Sequence, residues 1–191
     1  EGKIDKKRTI VNNGYKTDEY LQKIVDLIEM GFNNVILVLD SISELDRVKK
    51  LKCSKKIQIG MRMAINEEPQ SSYYTSRLGI RQNEIMEFFR KEIKDSKIVE
   101  LKMLHFFVDS GIKDSLYYWG EFKRALKLYT ELKKESKSLT AFNLGGGLPI
   151  RNNLGFEYDY DYMINEIVKN IKEGCEQDGI PEPDIYTEST L

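Results

Sequence analysis

Two periodicities alternate along the chain. Short apolar runs of strand character lie at Thr9–Asn12, Asn34–Leu39, Lys56–Ile65, Val99–Val108, Ser138–Leu144 and Asp184–Thr187. Between them apolar residues recur at three- and four-residue spacing, the mark of a helix face. Tyr20, Leu21, Ile24, Leu27 and Ile28 form the first such face, with Gly31 as its C-cap. Ser41 and Glu44 read as a capping box ahead of Leu45, Val48 and Leu51. Ile85, Met86, Phe89 and Ile93 mark a third helix. Leu116, Trp119, Phe122, Leu126, Tyr129 and Leu132 mark a fourth. Met163, Ile164, Ile167, Val168, Ile171 and Cys175 mark a fifth. Strict alternation of this kind predicts parallel strands joined by right-handed crossovers. An open doubly wound sheet and a closed (β/α) barrel both satisfy it. A full barrel takes roughly 250 residues in eight units, so 191 residues correspond to about six. Periodicity alone leaves the choice open.

The strand interiors add chemistry. In Lys56–Ile65 one face carries Ile57, Ile59, Met61 and Met63, and the other carries Gln58, Gly60, Arg62 and Ala64. An arginine on such a face needs an anionic or strongly polar partner, because burying its charge alone is costly. The long side chain has room among small neighbours and is expected to point away from the helices, into the interior of a barrel and towards its mouth. In Val99–Val108, alternation puts Leu101, Met103, His105 and Phe107 on one face, with Phe107 nearest the strand's end, and turns Lys102 the other way. Asn143 shares a face with Ala141. Polar residues thus gather near the C-terminal ends of consecutive strands, where both candidate folds bind ligands.

Charge and composition narrow the partners. Thirty basic and thirty-one acidic residues leave a net charge of −1, which gives no electrostatic case for nucleic acid or membrane. No apolar run approaches the ~18 residues of a membrane span. Residues Glu1 to Arg8 are too charged for a signal peptide. Cys53 and Cys175 make no disulfide framework, so a reducing, cytoplasmic setting is expected. The single histidine, His105, excludes a multi-histidine metal site and is a weak candidate for acid–base work.

Three strand-end segments remain. Gly145-Gly146-Gly147 either cups a phosphate with its backbone N–H groups or makes a tight turn. It lacks the spacing of a dinucleotide fingerprint. Asp109-Ser110-Gly111 is a second turn, with a hydroxyl. Glu188 places a carboxylate at the end of the last strand. The lysine-rich stretches Lys49–Lys56 and Lys133–Lys137 read as solvated faces.

In order along the chain stand Asn13-Gly14-Tyr15-Lys16, Ser43-Glu44-Leu45-Asp46, Gly60-Met61-Arg62 and Ser76-Arg77-Leu78-Gly79. Leu104-His105-Phe106-Phe107 with Ser110, Gly145-Gly146-Gly147-Leu148, and Ile180-Pro181-Glu182-Pro183 running into Thr187-Glu188-Ser189 follow. This set resembles the barrel domain of the biosynthetic arginine decarboxylases, which group with ornithine and diaminopimelate decarboxylases among the alanine-racemase-like pyridoxal-phosphate enzymes. The resemblance covers nearly the whole chain. It implies a (β/α) TIM-type barrel, here six of eight βα units. It also implies pyridoxal 5′-phosphate as cofactor, an amino-acid substrate, and a homodimer or higher homo-oligomer. The activity implied is decarboxylation of a basic amino acid, arginine to agmatine in polyamine synthesis first, with ornithine, lysine or diaminopimelate as alternatives. By the same resemblance, Gly145, Gly146, Gly147 and Ser110 hold the cofactor phosphate, Glu188 sits by the pyridine nitrogen, and Arg62 lies near the ring's phenolic oxygen. Phe107 stands where the family has a histidine stacked on the ring. Asp109 replaces a common glycine, and Ser189 is followed by Thr190 and Leu191 where the family has Gly-Arg. The family's cofactor-anchoring lysine belongs to a strand upstream of this region. The chain is therefore expected to be one partial domain, 1–191, of a longer parent. A non-catalytic barrel relative, or an unrelated phosphate-binding barrel, is the competing reading.

Overall fold

Six parallel strands hydrogen-bond in chain order: β1 (Ile10–Asn12), β2 (Val35–Leu39), β3 (Ile57–Met63), β4 (Val99–Phe106), β5 (Ala141–Asn143) and β6 (Asp184–Tyr186). The connections carry α1 (Asp18–Glu29), α2 (Glu44–Val48), α3 (Gln82–Phe88), α4 (Ser115–Glu135) and α5 (Tyr160–Asp178). Helix α3 runs on into a π-helical turn over Phe89–Ile93. The computed structural model describes residues 5–65, 78–108, 115–146 and 159–188.

Local chemistry explains the helix ends. Thr17 caps α1 by accepting from the Tyr20 N–H at 3.2 Å. Gly31 follows at φ +92° and closes the helix, its N–H bonding to Ile28 O at 3.0 Å. Asp159 caps α5 through Tyr162 N–H at 2.9 Å, and Gly179 ends it in the left-handed conformation.

The two faces of the sheet differ. Leu37, Leu39, Ile57, Ile59, Met61, Leu104, Phe106 and Phe142 join the buried faces of the helices in one large core. Phe106 stacks on Phe142 and packs against Tyr118 and Phe122 of α4. The opposite face holds a small separate cluster of Ile36, Val38, Met103 and Ala141, flanked by Val11 and Tyr186. Helices thus cover one face, and the strand order never reverses. An open doubly wound sheet has helices on both faces and a switch point. The sheet instead curls: Asn13 Nδ2, just past β1, donates to Glu188 Oε1, just past β6, and Tyr186 OH lies 3.5 Å from Thr9 Oγ1. The architecture is a partial (β/α) barrel.

Three expectations need correction. Strict alternation placed Leu101 with Met103. The β3–β4 register runs Ile59↔Leu101 and then Gly60↔Met103, so Lys102 is an extra, bulged residue. Leu101 therefore packs among the helices while Met103 faces inward. The Ser41–Glu44 capping box does not form either. Ser43 is the N-cap and makes no side-chain cap, and Glu44 turns to Asp40 N–H and Lys16 instead. The strands are also shorter than the apolar runs, most clearly β5, where only Ala141–Asn143 of Ser138–Leu144 joins the ladder.

Candidate functional site

Strand register builds the concave face in layers. Arg62 pairs with His105, His105 with Asn143, and Asn143 with Tyr186, so one polar row crosses β3 to β6. Beneath it lies the small apolar cluster. Gly60 belongs there because a Cβ would come within 3.0 Å of Val38 Cγ2 and 3.4 Å of Met103 Cβ. Above the row, Phe107, Gly145, Gly146 and Glu188 continue the strands at their C-terminal ends.

Arg62 faces this mouth as expected, its side chain 17% exposed. Its guanidinium carbon lies 5.5 Å from the centre of the Phe107 ring, a cation–π contact. Its Nη1 is 3.6 Å from Asp40 Oδ1, an ion-pair distance too long for a hydrogen bond. Behind Asp40 stands Lys16, whose side chain is wholly buried. Lys16 Nζ donates to Gly14 O at 2.5 Å and to Glu44 Oε1 at 3.2 Å, and lies 3.6 Å from Asp40 Oδ2. Glu44 Oε2 accepts from Asp40 N–H at 3.0 Å. Sequence reasoning missed Lys16, Asp40 and Glu44 as a group. Each follows a strand or opens a helix, where charge is ordinarily solvated, and only the curled β1–β2–β3 edge brings them together.

Glu188 lies at the mouth with its side chain 42% exposed. Its Oε1 accepts from Asn143 Nδ2 at 2.9 Å and from Asn13 Nδ2, and its backbone N–H bonds to Gly145 O at 2.9 Å. Oε2 accepts no hydrogen bond among the described residues. The carboxylate is thus oriented with one oxygen to spare.

His105 faces inward below Phe107 and is almost wholly buried. Burial first, and the nearby Arg62 charge second, push its pKa down to about 3. Its Nε2 is 3.9 Å from Glu188 Oε1, but a neutral imidazole makes no ion pair there. Neither ring nitrogen has a hydrogen-bond partner among the described residues. An imidazole neutral down to this pH is no general acid near pH 7.

The glycine turn divides its work. Gly145 has φ +68°, and a Cβ there would sit 2.7 Å from Phe106 O and 2.9 Å from Phe107 Cδ2. Its N–H is already given to Asn143 Oδ1 at 2.9 Å, so it is committed to the turn rather than to an anion. A Cβ on Gly146 would meet Glu188 O at 3.3 Å and the Phe107 ring at 3.4 Å, so the turn packs closely on the Glu188 backbone and the ring. Ser110, Gly147 and Asp109 lie outside the described residues. Their expected convergence with Gly146 on one anion is therefore not part of this geometry. Among the described residues no group of acidic, histidine or cysteine side chains could hold a metal, and no helix is long and apolar enough to cross a membrane.

Known proteins are similar to this chain in sequence and fold. Biosynthetic arginine decarboxylases of Pseudomonas putida and Prochlorococcus marinus are 28% and 27% identical to it, over 95% and 97% of this chain. The chain spans about 30% of the length of these relatives. The crystal structure of the biosynthetic arginine decarboxylase of Campylobacter jejuni superposes with a TM-score of 0.74 at 30% identity, over 95% of this chain and 30% of that one. The lysine decarboxylase of Selenomonas ruminantium, at 19% identity and a TM-score of 0.64 over 94% of this chain and 43% of that one, shares the fold. The model of the pyridoxal-dependent decarboxylase, pyridoxal binding domain, family matches residues 2–190. By that match, and by a partial barrel of the same architecture, the chain belongs to the pyridoxal-dependent decarboxylases through their pyridoxal-binding domain.

Proposed function

We propose that this chain is the cofactor-binding barrel of a pyridoxal-phosphate-dependent decarboxylase of basic amino acids, with arginine as substrate and agmatine as product. The observation that carries it is Glu188, oriented by two asparagine amides with one carboxylate oxygen unbonded among the described residues, at the mouth of a barrel of this family. A pyridine N–H is a donor of the kind that oxygen lacks, so the donor set fits the cofactor. Bound pyridoxal phosphate supplies a protonated ring that takes up the electron pair left when carbon dioxide departs. Glu188 holds the proton on the ring nitrogen. Phe107 orients the ring by packing, where a histidine would also carry a proton. Arg62 offers N–H donors beside it. Gly146, with Gly147 and Ser110, receives the phosphate. His105 stays neutral and keeps a second positive charge away from the mouth. The lysine that anchors the cofactor comes from a strand upstream of residues 1–191 in a longer parent chain, and a partner subunit of a homodimer or higher homo-oligomer completes the substrate side. The free cysteines Cys53 and Cys175 accord with a cytoplasmic protein.

The test is to measure labelled carbon dioxide released by the complete protein from carboxyl-labelled arginine, ornithine, lysine and diaminopimelate with pyridoxal phosphate present. Fastest release from arginine is expected. Cofactor binding without release from any of the four would favour the second reading, a non-catalytic barrel, which Phe107 in place of the ring-stacking histidine supports.

A further inference from the structure

We propose that Lys16, Asp40 and Glu44 form a positioning network that keeps the N–H donors of Arg62 free for the oxygen on the cofactor ring. This rests on the reading that the mouth binds pyridoxal phosphate. Four charged side chains stand in line here. Lys16, Asp40 and Glu44 are buried and Arg62 is nearly so. Burying charge is costly even when it is paired, and apolar residues of similar size often serve stability as well or better. The arrangement is therefore poorly explained as a stabilising device.

Its geometry explains it better. Asp40 stands between two cations at equal distance, 3.6 Å from Lys16 Nζ on one side and 3.6 Å from Arg62 Nη1 on the other. Neither of its carboxylate oxygens accepts a hydrogen bond among the described residues. Left alone with an arginine, a carboxylate closes to the bidentate, hydrogen-bonded fork that consumes two guanidinium donors. Lys16 opposes that closure by drawing Asp40 the other way. Glu44 anchors the pair from behind, accepting from Lys16 and from the Asp40 N–H at once. Arg62 is thereby held over Phe107 without a hydrogen bond among the described residues. A mostly buried guanidinium whose donors make no hydrogen bond among the described residues, at the C-terminal mouth of the barrel, is set to receive an anionic or strongly accepting oxygen. Lys16 never touches that oxygen; it acts through Asp40.

The experiment pairs protein variants with a cofactor analogue. Lys16→Met removes the opposing charge but strands a buried carboxylate. Lys16→Met/Glu44→Gln keeps the cluster's charge balance and is the variant on which the result rests. Affinity is measured by equilibrium dialysis for pyridoxal phosphate and for its 3-deoxy analogue, which lacks the ring oxygen. Wild type is expected to prefer pyridoxal phosphate, and the balanced variant to lose about tenfold of that preference, the size of one charge-assisted hydrogen bond, without losing affinity for the analogue. A crystal structure of the ligand-free balanced variant should bring Asp40 and Arg62 to hydrogen-bond distance. An unchanged preference in the balanced variant, or an Asp40–Arg62 separation that stays at the wild-type value, overturns the network. Wild type binding neither compound overturns the pyridoxal reading instead, and the crystallographic distance still decides the network.

Discussion

His105 gives the site its clearest pH signature. Above pH 6.5 the imidazole is neutral whether the chain is folded or not, and it contributes nothing to the pH dependence. Below 6.5 the unfolded chain takes up a proton that the folded chain refuses until about pH 3, so stability falls as pH drops through that window. At pH 5 the loss is about 2 kcal/mol. Carboxylates enter later: hydrogen bonds from Arg90 and Lys94 hold Glu135 at about 2, below its ordinary 4.5, so its contribution is lost only below that ordinary value. Urea unfolding of the apo protein at pH 7 and pH 5 should therefore show that His105→Gln removes about 2 kcal/mol of the difference between the two. An equal difference in wild type and variant would place the acid sensitivity elsewhere. Gly145 supports a second comparison. Gly145 and Gly179 share a left-handed φ, +68° and +64°, but a Cβ meets Phe106 O at 2.7 Å in the first case and nothing within 4 Å in the second. Gly179→Ala should cost ~1–2 kcal/mol, the strain of that conformation alone. Gly145→Ala should cost clearly more in the same thermal melts, because backbone must also move. Arg62 was legible in the sequence because a charge inside an apolar strand demands a partner. Lys16 was not, because a lysine after Asn-Gly-Tyr reads as solvated until the fold encloses it.

At the scale of elements, alternation of period 2 with period 3.6 was enough to place all six strands and five helices, since the helices bury one face and the strands between them are short apolar runs. Strand ends were overread because buried apolar residues lie beyond the paired segment, as Leu139 does ahead of β5. The bulge in β4 was invisible for a different reason. Leu101 and Met103 are both apolar, so nothing in their polarity marks that they face opposite ways. The bulge makes a deletion informative. Removing Lys102 leaves Leu101 opposite Ile59 and Met103 opposite Gly60, so Met103 and His105 stay inward. Removing Leu104 shifts every later residue of β4 by one and turns His105 and Phe107 toward the helices. The Lys102 deletion should give a soluble protein with native near-UV circular dichroism, and the Leu104 deletion should not. Equal loss of structure in both would mean that the extra residue is itself required, through the Thr140 N–H bond to Lys102 O or otherwise.

Across the whole molecule, stability and chemistry occupy opposite faces of one sheet. Among the described residues the helix-covered face holds nearly all of the apolar core, while the concave face holds four core residues beneath a polar row. Adjacent residues on β2 sample the two sides under matched burial, Leu37 outward and Val38 inward, both fully enclosed. Leu37→Ala opens a cavity among the helices and should cost ~2–5 kcal/mol. Folded molecules of that variant should keep wild-type affinity for pyridoxal phosphate, because Leu37 belongs to the helix-side core and not to the concave layer. Val38→Ala removes fewer atoms and should cost about 2 kcal/mol or less. Val38 Cγ2, however, fills the space beside Gly60, two residues below Arg62 on the same face. Loss of that contact lets β3 settle and moves the Arg62 guanidinium relative to Phe107, so cofactor affinity should fall although stability falls less. Urea midpoints and equilibrium dialysis on the same preparations separate the two effects. If Leu37→Ala weakens cofactor binding as much as Val38→Ala does, the faces are not independent, and the concave layer is supported through the sheet rather than by its own packing.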